Sequence, residues 1–317
     1  MTIEVLKPGA LSTFQDLGRF GHQHHGIPVS GVMDERSHRL ACMLVGNAPS
    51  QATLEVTLIG PTLKFEVPAV IAICGADLGA TVNGRALPLG TPVAVAAGDL
   101  LSFGKRASGL RAYIAVAGGY ALQQVMGSTS TYVRGGFGGA QGGPLQKGDR
   151  IALRDVPART SSLDASGFVF PEEVQRPPGA PLRIVPGRER EAFAPQAHRA
   201  MTAQTFRVSP RSDRMGYRLE CEPLRLLQPL ELQSEAVSFG AIQVPPDGFP
   251  IVLLADRQTT GGYPRIANVA TVDLPSLAQL MAGETVRFEW ISLDEAQQLS
   301  VAQGEIFRAM EAGHGVH

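Results

Sequence analysis

The apolar residues of this chain come in short runs interrupted at close intervals by turn residues. Examples are Ala69-Val70-Ile71-Ala72-Ile73-Cys74, Val93-Ala94-Val95, Ala112-Tyr113-Ile114-Ala115-Val116-Ala117 and Ile251-Val252-Leu253-Leu254. Runs of this length, rich in Val, Ile and Tyr, suit a pleated, half-buried surface and are too short for ordinary helices. The 36 Gly and 23 Pro supply the breaks between them, so the expected fold class is mainly β with few short helices. Asn83-Gly84, between Ala80-Thr81-Val82 and Arg85-Ala86-Leu87, predicts a type I′ hairpin, because both positions tolerate positive φ. One phrase occurs three times: Gly98-Asp99-Leu100-Leu101-Ser102-Phe103, Gly148-Asp149-Arg150-Ile151-Ala152-Leu153 and Gly283-Glu284-Thr285-Val286-Arg287-Phe288. Each reads as a turn feeding a strand with alternating side chains.

Helical patterns are confined to Asp34 to Val45, Leu274 to Met281 and Leu293 to Ala312. The first carries Asp34 as N-cap, Leu40, Met43 and Leu44 at helical spacing, and a stop at Gly46-Asn47. Val156 to Pro181 is rich in Pro, Ser, Arg and Glu without periodic pattern, and reads as an interdomain connection. The expected organisation is an N-terminal β domain at 1–155, a linker at 156–181, and a second β domain at 182–317 that carries the C-terminal helix. The last residues, Gly313 to His317, read as a frayed end.

The 28 Lys+Arg against 29 Asp+Glu give a formal net charge of −1, which argues against nucleic acid as the main partner. The most basic stretch, Arg183 to Arg199, contains Glu189 and Glu191. No uninterrupted apolar stretch reaches membrane-spanning length, and Met1-Thr2-Ile3-Glu4-Val5-Leu6 lacks the pattern of a secretory signal. The expected location is the cytoplasm. Cys42, Cys74 and Cys221 cannot all pair and show no C-x-x-C spacing, so they read as buried free thiols.

Four stretches carry candidate chemistry. Thr13-Phe14-Gln15-Asp16-Leu17-Gly18-Arg19 presents Gln15, Asp16 and Arg19 among glycines; Arg19 is suited either to grip a carboxylate or phosphate or to pair internally with Asp16. His22, His24 and His25 invite a cupin-type reading, but no Glu follows at the required distance and His198, His314 and His317 lie outside any comparable motif, so no metal is expected. Gly127-Ser128-Thr129-Ser130-Thr131-Tyr132 can surround an anion or an amide with hydroxyls. It matches neither a P-loop nor a G-x-S-x-G elbow. Last, Ala255-Asp256-Arg257-Gln258-Thr259-Thr260-Gly261-Gly262-Tyr263-Pro264 leaves the end of the Ile251 to Leu254 strand, and such polar groups are costly to bury without purpose. Asp256 and Arg257 are expected to be positioned by the scaffold and to contribute little to holding it together. Ser212-Asp213-Arg214-Met215-Gly216-Tyr217 is a second polar knot that can face the first.

These motifs, with Gly31-Val32-Met33-Asp34, Val45-Gly46-Asn47 and the block from Gly240-Ala241-Ile242-Gln243-Val244-Pro245-Pro246-Asp247-Gly248 onward, occur in one family's order. From about Val5 to about Trp290 the chain resembles the allophanate hydrolase subunit 2 or KipA-like family. That family is also labelled biotin-dependent carboxyltransferase and includes the C subunit of bacterial 5-oxoprolinase. Phe14 stands where a β-branched residue is expected. The resemblance implies two cyclophilin-like β-barrel domains, a KipI-like companion subunit and a LamB/YcsF-like subunit. It implies an ATP-dependent complex that opens the lactam of 5-oxoproline to glutamate, with no ATP site located in this chain. The alternatives are a carboxyltransferase subunit of a biotin-dependent urea or amide carboxylase, where biotin enters, and a KipA-like regulatory binding protein.

For either chemistry an unreactive amide must be held and activated. Asp34 and Asp256 are candidate proton-handling or N–H-accepting groups, and Arg214 and Arg257 candidate oxyanion or anion binders. Gln15, Asp16, Arg19, Ser128, Ser130, Tyr132, Gln258, Thr259 and Tyr263 are candidate substrate-binding residues.

Overall fold

The computed structural model describes residues 1–154 and 170–313. Its described residues form two compact units, one within Met1–Phe20, Ser30–Val169 and Arg308–His317, the other within Gly21–Val29 and Phe170–Phe307.

The first unit is built of two antiparallel sheets. One has six strands in the order Arg150–Ala152, Thr2–Lys7, Thr62–Phe65, Leu100–Ser102, Thr81–Val82 and Arg85–Ala86. The other has five, ordered Leu11–Gln15, Thr53–Thr57, Ser108–Val116, Ala69–Asp77 and Val93–Val95. Strand alternation sends Ile3, Val5, Leu63, Phe65 and Leu101 from the first sheet into one core with Phe14, Leu54, Val56, Ile71, Ile73 and Ile114 from the second. The opposite face of the five-stranded sheet is covered by the helix Glu35–Leu44, which packs Ala41 and Leu44 with Ala72, Cys74, Tyr113 and Ala115. Asp34 is the N-cap of this helix, as its sequence position implies: its carboxylate accepts from Ser37 N at 2.9 Å and from Ser37 Oγ at 2.6 Å.

The thrice-repeated phrase folds the same way each time. Gly98, Gly148 and Gly283 have φ of 93°, 90° and 88°, and their N–H groups donate to carbonyls of a neighbouring strand, those of Phe65, Val5 and Val208. The acidic side chain that follows reaches back to a backbone N–H three residues earlier: Asp99 to Ala96 and Asp149 to Gln146 at 2.7 Å, Glu284 to Met281 at 2.9 Å. The glycine supplies the left-handed turn and the carboxylate closes it, so each strand is entered in fixed register. Asn83 and Gly84, at φ 50° and 79°, make the expected hairpin.

The second unit holds an eight-stranded sheet in the order Thr285–Val286, Phe206–Val208, Gly216–Glu220, Ile251–Leu253, Ala241–Gln243, Arg265–Val269, Leu182–Pro186 and Phe288–Trp290. Only the last pair is parallel. Its two edge strands, Thr285–Val286 and Phe288–Trp290, are consecutive in the chain and separated by Arg287 alone. One extended segment therefore serves both ends of the sheet, which curls into a nearly closed barrel and removes its free edges. Phe206 and Phe288 meet edge to face inside it, centroids 5.1 Å apart. A two-stranded ribbon, Glu235–Ala236 with Thr260–Gly261, stands beside the barrel.

Three elements differ from the sequence reading. Pro195–Ala203 is helical within the stretch noted for its basic residues; only Ala197 and Met201 of it are buried, too few apolar positions to announce a helix. Of the expected linker at 156–181, 156–169 lies outside the described residues, whereas Phe170 and Val174 are buried in the second unit, Phe170 against Phe307 at 5.5 Å. Cys42 and Cys74 are buried free thiols, but Cys221 is only half-buried. Burial pushes the thiols of Cys42 and Cys221 up to about 12. The frayed-end reading of 314–317 falls outside the described residues.

Candidate functional site

The candidate residues divide between the two units. Gln15, Asp16, Arg19, Asp34, Ser128, Ser130 and Tyr132 belong to the first, and Arg214, Asp256, Arg257, Gln258, Thr259 and Tyr263 to the second.

In the first unit the hydroxyl run does surround an anion, and the anion is Asp16. Its Oδ1 accepts from Gly18 N at 2.9 Å and from Ser128 Oγ and Ser130 Oγ at 2.6 Å; its Oδ2 accepts from Thr129 N at 2.7 Å and Thr129 Oγ1 at 2.9 Å. Ser128 and Ser130, expected from sequence to be substrate donors, are thus engaged by a carboxylate of the same chain. Burial works against ionisation of Asp16, but the bonds from Ser128, Ser130, Thr129 and Gly18 outweigh it and hold the carboxyl below its ordinary value. Arg19 is fully buried; its Nε donates to Val125 O and its Nη2 to Ser130 O, both at 2.9 Å, and it stacks 4.8 Å over Phe137. Gly138 is required beside it: a Cβ there would lie 2.0 Å from Ser130 O. Gln15 Nε2 donates to Thr13 Oγ1 and Thr131 O, while its buried Oε1 has no partner among the described residues. Tyr132 is half-buried and meets Phe137 edge to face.

Beneath the Asp34 cap lies a cluster that the sequence does not announce. Glu55 Oε2 accepts from Tyr113 Oη and from Met33 N, both at 2.9 Å, and Tyr113 Oη accepts from Asp34 N at 2.8 Å. Arg111 Nε stands 3.9 Å from Glu55 Oε1. All three side chains are buried. Burial, then the charges of Glu55 and Asp34, push the Tyr113 phenol well above its ordinary value, so it stays a neutral donor to Glu55. Together these groups fix the backbone that delivers Asp34.

In the second unit the two polar knots do meet. Arg214 Nε donates to Asp256 Oδ2 at 2.8 Å and Nη2 to Oδ1 at 3.4 Å, with both residues 6% exposed. The backbone closes the same contact, Asp256 N to Arg214 O at 2.9 Å. Asp256 is therefore part of what holds this end of the barrel, a correction to the expectation that it contributes little to holding the scaffold together: a buried charge stripped of its partner is strongly destabilising. Arg257, next in sequence, donates Nε to Val237 O and Nη1 to Leu254 O at 3.2 Å and lies 5.8 Å from the Phe239 ring. Burial pulls the basicity of this guanidinium below its ordinary value, with Asp256 opposing. Gln258 Nε2 donates to Gln243 Oε1 at 3.4 Å, and Gln243 Nε2 to Tyr263 O at 3.2 Å. Gln243, 1% exposed, is thus a buried amide link under the loop and an addition to the residues expected from sequence. Gln258 and Tyr263 are exposed and Thr259 half-buried.

The histidines lie elsewhere than a cupin reading needs: Gln23–His25 is a 3₁₀ turn, with the His24 and His25 rings 3.8 Å apart on the surface. Among the described residues no helix is long and apolar enough to cross a membrane.

A nearly closed barrel whose end carries a buried ion pair, a half-buried guanidinium and an amide chain makes up one unit of this chain, and a second β-rich unit accompanies it. The chain belongs to the carboxyltransferase domain family, subdomains A and B, which it matches over residues 25–290. It is 38% identical over 297 residues to the C subunit of 5-oxoprolinase from Haemophilus influenzae, covering 94% of each chain, and 36% identical over 308 residues to that of Escherichia coli, covering 97% of each. The solved Kluyveromyces lactis urea amidolyase superposes with a TM-score of 0.88 at 30% identity, over 98% of this chain and 20% of that one. The urea carboxylase of the same organism does so equally well, over 29% of its length. The chain thus spans about a fifth to under a third of those larger enzymes.

Proposed function

We propose that this chain is the C-type subunit of an ATP-dependent 5-oxoprolinase, a complex that opens the lactam of 5-oxoproline to glutamate. The observation that carries the reading is end-to-end similarity: 36–38% identity over 94–97% of both chains to two proteins named as the C subunit of 5-oxoprolinase. A KipI-like subunit and a LamB/YcsF-like subunit are the proposed companions, and ATP is used by the assembled complex. The division into two β domains, expected at 1–155 and 182–317, is retained as part of the proposal, with Phe170 and Val174 of the expected linker at 156–181 packed into the second.

An amide is inert because its carbonyl is resonance-stabilised, so opening it calls for polarisation of the oxygen, orientation of the N–H and a placed proton. The groups proposed for these tasks are those of the loop Asp256-Arg257-Gln258, braced by Arg214 and Gln243; Asp34, anchored by Tyr113 and Glu55, is proposed separately as a proton-handling group of the first unit. The Asp16 clasp and Arg19 are assigned to shaping the first unit's loops rather than to touching substrate. A second reading, carboxyl transfer from carboxybiotin to urea or an amide, is supported by the 0.88 TM-score to the two Kluyveromyces lactis enzymes. The two are separated by assaying the purified chain, alone and with its companions, for glutamate formed from 5-oxoproline and ATP, with avidin added in parallel. Lactam opening predicts glutamate only from the assembly and no effect of avidin; carboxyl transfer predicts no glutamate and a urea-dependent, avidin-sensitive reaction.

A further inference from the structure

The charges around the second unit's loop are almost all matched. Arg214 is paired with Asp256, Arg265 with Glu189 at 2.7 Å, and Arg188 with Glu235 at 2.6 Å. Arg257 is the exception: no carboxylate of the described residues stands within ion-pair distance of it, and its neighbour Asp256 is turned to Arg214. Its Nε and Nη1 are fixed by the carbonyls of Val237 and Leu254 and its plane lies near the Phe239 ring, so the group is held in place by the scaffold. Its Nη2 makes no hydrogen bond within the described residues and is not sealed from the surface. A positioned guanidinium with a free N–H edge and no carboxylate bonded to it suits a carboxylate. The next residue, exposed Gln258, donates through Nε2 to Gln243 and leaves its Oε1 as an acceptor without a partner among the described residues.

We propose that Arg257 and Gln258 form a subsite for the carboxylate and the adjacent amide N–H of an anionic substrate. The inference deepens the lactam-opening reading and rests on it for the identity of the ligand. In 5-oxoproline the carboxylate and the lactam N–H sit on one carbon, the pairing that adjacent guanidinium and amide-oxygen groups can take together. Urea has no carboxylate, so Arg257 is the residue that selects an anionic amide over a neutral one. The fixed cation also loses part of its hydration in this place, which a bound carboxylate makes good.

Two measurements on the full chain and its complex test this. The first titrates acetate into the ¹⁵N-labelled chain and follows the Arg257 guanidinium resonance, assigned by its loss in Arg257→Gln. The second compares binding of 5-oxoproline with that of 2-pyrrolidinone, the same lactam without the carboxylate, by the assembled complex. Expected is a saturable acetate shift of the Arg257 signal. Wild type should prefer 5-oxoproline by roughly tenfold or more, a preference reduced in Arg257→Lys and abolished in Arg257→Gln. An acetate response in a complex that opens no lactam would leave the carboxylate subsite standing and remove the 5-oxoprolinase reading. No acetate response, or a preference for 5-oxoproline that survives Arg257→Gln in folded protein, overturns the subsite.

Discussion

Replacing Asp16 by Asn separates a structural clasp from a substrate site, because the change keeps shape and removes only charge and acceptor capacity. The wild-type carboxylate takes five hydrogen bonds, three on Oδ1 and two on Oδ2. Asn keeps the three on Oδ1 if its oxygen occupies that position. Its NH₂ then faces the Thr129 N–H, donor against donor, and Thr129 Oγ1 must turn its hydrogen elsewhere and accept instead. Two charge-assisted bonds at about 1.5–3 kcal/mol each are lost, and one buried N–H is left without an acceptor. The expected cost is about 3–5 kcal/mol, or a drop in melting temperature of roughly 6–20 °C for a unit of this size. The carboxyl's lowered pKa carries a matching pH signature. Stability from Asp16 is full above the unfolded value of 3.8 and is lost as pH falls through the lower folded value. Differential scanning calorimetry at neutral and acid pH measures both. An Asp16→Asn protein that melts like wild type while its assembled complex is inactive would refute the clasp and return Asp16, Ser128 and Ser130 to the substrate site.

His38 is fully buried, with Nδ1 2.9 Å from Thr53 Oγ1 and Nε2 2.8 Å from Pro49 O, and burial lowers its pKa from 6.5 against the opposing pull of Pro49, Glu35 and Asp16. The unfolded chain therefore takes up a proton that the folded chain resists. Stability from this group is full above about pH 6.5 and falls below it, by up to about 1.4 kcal/mol per pH unit, and His38→Gln should flatten that slope in urea titrations between pH 7 and 5. Asp256→Asn should cost about 3–5 kcal/mol by leaving buried Arg214 uncompensated, and adding Arg214→Met should restore a large part of it. A purely additive double variant in thermal melts would mean the pair is not coupled.

What is legible in the sequence is what local chemistry decides. The Gly-Asp and Gly-Glu turns, the Asn83-Gly84 hairpin and the Asp34 cap each depend on neighbours within a few residues, and each forms as expected. The hydroxyl run at Ser128 is legible as an anion cradle, but its anion is Asp16, 112 residues away, which no spacing rule reveals. Thr53-Leu54-Glu55-Val56-Thr57 alternates like a strand with one wet face; the helix Glu35–Leu44 covers that face, so Glu55 and Tyr113 are buried and their role goes unseen. Arg214 and Asp256 are recognisable as parts of two knots able to meet, yet only the antiparallel register of Gly216–Glu220 with Ile251–Leu253 joins them into one pair.

Membership of this chain in a lactam-opening complex is checked by omission. The complex is assembled from its purified subunits with and without this chain, and glutamate released from 5-oxoproline is measured alongside ADP. Coupled release of both is expected with the chain present, and none from the chain alone or from the assembly lacking it. Glutamate formed at the same rate without the chain, or a complete assembly that carboxylates urea and leaves 5-oxoproline intact, would contradict that membership.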